Sequence, residues 1–411
     1  MLIYRDAFVR GGLPSEVRGL ARGLALDHAV SVWGRARSIP RLERDAEVRC
    51  YTSIADLAIK APRWLRQDRP DVVVLFGVYL PDTMVAARAA KVWGAVTVLH
   101  PSAHIMHAVL TGKVFFGRID IGQFESGRQH KVIGRNLRRR ASPILKQMWL
   151  RTVGLTLFRA VDCIAVLSDH EEREIRNVVP SLSGPAVKLR WGIDQVPGID
   201  APEHYYRDTL GIAADGCANI VFWARLDWHY KGLDRLLAGV LAARRCTGTL
   251  PFRLFLCGPG YAGGLERAKA FIAEHSLERD VRIIPSFGGS KAALRDADAS
   301  VLLSRWDGLP RSLRESLWLG VPVITSRDTH AGHLLRNQGA GIVVENPDQP
   351  EEVAAALLAF GSPVTRSRFA RNARRLKPHL GWDVAARNFI AELPGDRVSP
   401  RISSGATARQ A

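Results

Sequence analysis

Two carboxylates and two cations stand at spacings that suit a phosphorylated sugar. Asp307 and Glu315 lie eight residues apart in ASVLLSRWDGLPRSLRESLWLG, residues 299–320. Arg225 and Lys231 lie six apart in ARLDWHYKGLDRLLAGV, residues 224–240. Carboxylates accept hydrogen bonds from sugar hydroxyls, and paired cations neutralise charge that develops on phosphoryl oxygens. Gly11-Gly12, after a short apolar start, lets the backbone come close to an anion because no Cβ intervenes. A nucleotide sugar has the matching chemistry, with a diphosphate in the middle, ribose hydroxyls at one end and hexose hydroxyls at the other. The bland alternative is a loop acid, a solvated helical Glu and two solvated cations.

The elements that must position these groups are legible as βαβ units. Val301 to Leu303 form a continuous apolar run of the kind parallel strands use. Residues 304–309 then read as a loop, and Pro310 as the first residue of a helix, where its missing N–H costs nothing. Leu313, Leu317 and Trp318 recur at helical spacing on that helix. Gly308, Leu309, Pro310, Arg311 and Ser312 therefore line a strand-to-helix turn, whose free N–H groups and dipole favour a phosphate. Residues 220–223 read as the strand before Arg225, with a helix from about Gly232. In the first half, strands are expected at 1–4, 28–33, 47–51, 69–77, 95–99 and 161–167, and the first helix at 17–26. His100 and His104 follow the strand at 95–99, and ligands in open α/β sheets bind beyond such strand ends. Either histidine suits a reacting sugar, a structural place or an acceptor contact, with His100 favoured over His104. Ser168 reads as a helix N-cap, with Glu171 and Glu172 in the first turn.

These motifs resemble those of glycosyltransferase family 4. An acid, seven residues and Glu, with Gly-Leu-Pro between, resembles its E-x7-E signature, except that Asp307 stands where Glu is usual. Arg225 to Gly232 is similar to its R-L-x-x-x-K-G element. Further departures are Trp191 before Gly192, Pro285 near the expected base site, and His333 in place of a loop Glu. The resemblance implies an α/β GT-B fold, two Rossmann-like domains facing across a cleft. It implies a retaining transferase that needs no metal and takes a nucleotide-diphosphate sugar as co-substrate, with no other cofactor. Arg225, Lys231, Asp307 and His100 would be catalytic. Gly11, Gly12, Arg225, Lys231, Gly308 to Ser312 and Glu315 would bind the donor. Asp296-Ala297-Asp298 is formally a D-x-D metal mark, but it sits in an R-D-A-D-A-S run that resembles a structural helix end of the family.

At 411 residues the chain suits two domains. The expected division is 1–190, an acceptor-side domain; 191–375, a nucleotide-sugar domain; 376–394, a helix returning to the first; and 395–411, a disordered tail. No run of 18 apolar residues occurs, and the five cysteines are scattered without C-x-x-C spacing, which points to a reducing, cytoplasmic compartment. The net charge is +18. Eight Lys or Arg and no acid fall within 128–151, and a second basic cluster spans 366–377. Arg138, Arg139, Arg140, Lys146 and Trp149 interleave with apolar residues there, which favours an anionic membrane surface at the inner face. The acceptor expected is a saccharide or glycolipid in cell-surface polysaccharide synthesis. Two other readings stay open. One is a GT-B nucleotide-binding scaffold of weak or no turnover. The other is a nucleic-acid-binding protein, although no helix-turn-helix, zinc finger or RNP-like motif accompanies the charge.

Overall fold

A computed structural model describes residues 1–3, 7, 12–36, 46–77, 81–101, 155–180, 182, 184–193, 204–212, 214–284, 291–305 and 307–394. These form two compact α/β units, one of Met1–Val166, Glu174–Leu189 and Ala386–Ala411, the other of Leu167–Arg173 and Arg190–Ala385. Gly11, His104, Arg138 to Arg140, Lys146, Trp149, Pro285 and the tail expected at 395–411 lie outside the described residues.

The first unit runs β1 (Leu2–Ile3), α1 (Gly12–Ala25), β2 (Ser31–Arg35), β3 (Glu47–Tyr51), α2 (Ile54–Asp68), β4 (Val72–Phe76), α3 (Pro81–Val92), β5 (Val96–His100), α4 (Leu155–Ala160), β6 (Cys163–Val166), α5 (Asp169–Val178) and β7 (Ala186–Lys188). Its strands pair in parallel in the order β3-β2-β1-β4-β5-β6-β7. Parallel strands covered on both faces need near-continuous apolar sequence, and VVVLF of β4 supplies it. Trp33, Leu57, Leu65, Leu75, Leu99 and Ile164 meet in the core. The first helix starts at Gly12, five residues before the pattern of apolar positions predicts. Gly12 is thus the first helical residue rather than part of an open loop.

The second unit runs β8 (Ala218–Trp223), β9 (Leu226–Asp227), α6 (Leu233–Thr247), β10 (Phe252–Cys257), β11 (Gly260–Tyr261), α7 (Gly264–Glu274), β12 (Val281–Ile284), α8 (Lys291–Arg295), β13 (Ala299–Leu302), α9 (Arg311–Trp318), β14 (Val323–Ser326), α10 (Gly332–Gln338), β15 (Gly341–Val344), α11 (Pro350–Ala359), α12 (Pro363–Leu376) and α13 (Trp382–Ala391). The main sheet has the order β12-β10-β8-β13-β14-β15, all parallel, so β8 and β13 are neighbours at its middle. A small parallel ladder joins β9 to β11. The division between the units falls inside α5 and inside α13. Among the described residues no helix is long and apolar enough to cross a membrane.

One glycine brings the two chemistry-bearing turns together. Gly232 caps α6 at φ +69°, and a Cβ there would lie 2.0 Å from the Leu303 carbonyl oxygen. Only glycine accepts both the left-handed backbone and that approach. The start of α6 therefore rests against the end of β13, which is what places Lys231 beside Asp307. Pro310 stands just before α9, at φ −56° and ψ 136°, and the helix begins at Arg311. That one-residue shift leaves the turn where the sequence predicts it.

Candidate functional site

The cations leave the sheet at β8. Arg225 stands two residues beyond that strand's end, and its guanidinium lies 3.6 Å from Asp227. It also stacks over two rings, 4.3 Å from the centroid of Tyr261 and 5.5 Å from that of Tyr230. Asp227 fixes the turn by accepting the Tyr230 backbone N–H at 2.9 Å. Lys231 comes next, with its ammonium 5.0 Å from the same Tyr230 centroid. Gly258 lets the β10 turn pass the end of β8, because a Cβ would sit 2.0 Å from the Ala224 carbonyl oxygen.

The carboxylates leave the sheet at β13 and α9. Lys231 Nζ is ion-paired to Asp307 Oδ2, which also accepts from Ser304 Oγ at 3.2 Å. Glu315, in the second turn of α9, accepts from Trp223 Nε1 at 3.0 Å and from Arg311 Nε at 3.1 Å. Trp223 is the last residue of β8, two before Arg225, so the second acid is fastened to the strand that carries the first cation. The structure thus gathers Arg225, Lys231, Asp307 and Glu315 within one unit, each side chain mostly shielded from solvent. Gly308 and Pro310 are buried, Leu309 packs on the cluster that holds Leu313 and Leu317, and Ser312 is half-buried. Arg311 is exposed.

A polar framework underlies this turn. Asp307 makes a parallel bridge with Thr329, and the His330 N–H donates to the carbonyls of Asp307 at 3.2 Å and Gly308 at 3.0 Å. His330 Nδ1 meets Ser168 Oγ at 3.0 Å, and the His170 ring lies 5.3 Å from that of His330. Deeper in, Arg235 donates to both oxygens of Asp348 at 2.8 and 2.7 Å, to Asp328 at 2.9 Å and to the Leu303 carbonyl at 3.2 Å. Arg305 adds bonds to Asp234 at 2.8 Å and to Asp348 at 3.3 Å. Hydrogen bonds from Arg235 hold the Asp348 carboxyl below the usual carboxylate range, against some desolvation. Burial, reinforced by Asp307, pushes the Tyr230 phenol well above its ordinary value.

Other candidates sit elsewhere. His100 is the last residue of β5 in the first unit, 2% exposed, with its ring 5.7 Å from that of Phe76. Asp296 accepts the Tyr205 N–H at 2.7 Å and the Arg295 Nε–H at 2.7 Å. Asp298 accepts the Asn219 N–H at 2.8 Å and pairs with Arg366 at 3.3 Å. Both acids of the D-x-D run thus fasten neighbouring chain segments.

Sequence reasoning missed Trp223, Tyr230 and His330. His330, in the turn after β14, is bonded to the Asp307 turn. Ser168 does serve as the predicted N-cap, accepting the Glu171 N–H at 3.2 Å, yet nothing in its spacing announces His330 as a second partner.

The family model described as glycosyl transferases group 1 matches residues 214–376. The matched stretch lies within the second unit. It contains all four charged residues gathered at the turn. No curated protein matches the sequence. Among solved structures, sucrose-phosphate synthase from Thermosynechococcus elongatus is similar at TM-score 0.62 and 16% identity, over 95% of this chain and 96% of that one. Anabaena HepE in complex with UDP-glucose is similar at TM-score 0.62 and 14% identity, over 95% and 97%. A glycosyltransferase from Rickettsia africae gives TM-score 0.65 and 13% identity, over 95% and 96%. With such neighbours, two parallel-sheet units make this a GT-B fold, with the stretch matched by the family model in its second unit.

Proposed function

We propose that the protein is a retaining glycosyltransferase that moves a sugar from a nucleotide-diphosphate donor to a saccharide acceptor. The observation that carries this is the Lys231–Asp307 pair beside Arg225 and Glu315, at the carboxyl ends of β8 and β13 inside the stretch matched by the family model. Arg225 and Lys231 would hold the diphosphate, helped by the N–H groups that open α9. Glu315 is suited to ribose hydroxyls and Asp307 to the transferred sugar. As the bond from the anomeric carbon to the phosphate oxygen breaks, its electron pair passes to the diphosphate. The two cations stabilise that charge most where it is largest, which is the condition for faster chemistry rather than tighter ground-state binding. Incoming and leaving oxygens on one face of the sugar would give retention, with no metal called on. A nucleotide-sugar donor is supported by HepE, solved with UDP and with UDP-glucose.

His100, 2% exposed with its ring against Phe76, is given no step in this scheme. For the acceptor, we favour a lipid-linked or membrane-surface saccharide, a choice supported by the basic, apolar-interleaved stretch at 128–151. WaaB, a lipopolysaccharide outer core galactosyltransferase, is similar in fold at TM-score 0.62 and 15% identity.

The test is a thermal-shift screen of UDP-, GDP- and ADP-sugars, followed by measurement of nucleoside diphosphate release and of the product's anomeric configuration. One donor should raise the melting temperature by several degrees at a hundredfold excess over its Kd, since ligand binding then adds about 2.7 kcal/mol. A protein that no nucleotide sugar stabilises is not the enzyme proposed.

A further inference from the structure

The two cations share an aromatic partner that the mechanism above leaves unused. Both Arg225 and Lys231 lie over Tyr230, at 5.5 and 5.0 Å from its ring centroid, and Tyr261 holds Arg225 a second time at 4.3 Å. Two like charges brought to one place repel each other. The acids nearby counter that repulsion, but an acid bonded to a cation also competes with any incoming anion for it. A ring face is different, because it attracts a cation through its quadrupole while adding no net negative charge. A cation held by a ring is held without its charge being neutralised.

The backbone that carries the ring is tied on both sides of the residue. The Tyr230 N–H donates to Asp227 at 2.9 Å, and its carbonyl accepts the Arg305 N–H at 3.0 Å. Tyr230 thus stands fixed between the β9 turn and the loop after β13, the two segments that supply Arg225 and Asp307. With its phenol kept protonated, the side chain brings aromatic surface rather than a third anion to the site.

We propose that Tyr230 is a positioning residue whose ring holds Arg225 and Lys231 as a matched pair for the two phosphates of a nucleoside diphosphate. It thereby sets the preference for a diphosphate over a monophosphate. This rests on the proposed function, and the experiment separates the two. Calorimetric titration of the full chain with UDP and UMP, GDP and GMP, and ADP and AMP identifies the pair with the tightest diphosphate, and that pair is then used on Tyr230→Leu, Tyr230→Phe and Lys231→Ala. Tyr230→Leu should lose about tenfold in diphosphate affinity, the scale of two cation–π contacts, and stay within about twofold for the monophosphate. Tyr230→Phe, which keeps the ring, should match the wild type. Retained monophosphate binding shows that the Leu variant is folded. If Tyr230→Leu keeps the wild-type ratio while Lys231→Ala loses it, the inference falls and the diphosphate site stands. Equal loss for both nucleotides, or a Phe variant as weak as the Leu variant, also overturns the inference. A wild type without any preference for a diphosphate overturns the site and the inference together.

Discussion

At the end of β8 the chain passes through Trp223 to Arg225 and at once meets Asp227, Tyr230 and Lys231; at the end of β5 it arrives at His100, whose ring lies against Phe76. Both are interior strands of parallel sheets, and both stop at the edge where such folds bind ligands. The contrast lies in the partners. The β8 end is surrounded by opposite charges and ring faces that hold its cations while leaving them partly reachable, at 24% side-chain exposure for Arg225 and 17% for Lys231. The His100 ring lies 5.7 Å from that of Phe76, and its carbonyl accepts the Gly77 N–H at 2.9 Å. A strand's carboxyl end is therefore a place where chemistry can occur. What marks it as a site is the company its side chains keep.

The largest expected effect sharpens this contrast. Arg225→Ala and Lys231→Ala should each lower turnover about 10²–10³-fold, the cost of one charge-stabilising group, in an assay of donor cleavage. Near-normal rates in both would dissolve it. Gly232→Ala tests the close approach that builds the site. It should destabilise the fold by roughly 3 kcal/mol or more, because its Cβ would collide with the Leu303 carbonyl and its backbone would be held left-handed. An unchanged denaturant midpoint would show that the turn can yield. His100→Phe probes the other strand end. It should cost less than about tenfold in turnover, since it removes both ring nitrogens while keeping an aromatic body. A fall as deep as that of Lys231→Ala would put His100 among the reacting groups.

The smallest effect concerns pH. Asp348 has a lowered pKa when folded, so it binds fewer protons than in the unfolded chain. Its contribution is present above the ordinary carboxylate pKa and fades as pH falls through the lowered folded value. Asp348→Asn should therefore flatten the acid limb of a stability–pH curve below about pH 4, and by only a fraction of a kcal/mol because the side chain is 69% exposed. A steeper acid limb in the variant would contradict the assignment.

The strand-and-turn frame of the second unit was legible because apolar runs such as Val301 to Leu303 are long and the glycines and Pro310 punctuate them sharply. Arg225, Lys231, Asp307 and Glu315 could be named from spacing, since each follows a strand by a fixed short step. Tyr230, Trp223 and His330 could not. Their contribution depends on which distant atom they meet, Glu315 for Trp223 and Ser168 for His330, and no local pattern encodes a partner 92 or 162 positions away. The start of α1 was misplaced for a simpler reason. Gly11, Gly12 and Pro14 read as turn chemistry, yet a proline in the first helical turn forfeits no intrahelical hydrogen bond, so the helix can open at Gly12.

Arg235 has a wider consequence. One guanidinium touches the carbonyl of Leu303, the carboxylate of Asp328 and both oxygens of Asp348, the last of which Arg305 reaches as well. The chain segments after β13, β14 and β15 are in effect riveted to a single stud. A shift of any one of these segments is opposed by the other two through the shared guanidinium, so this rim yields as one piece or not at all.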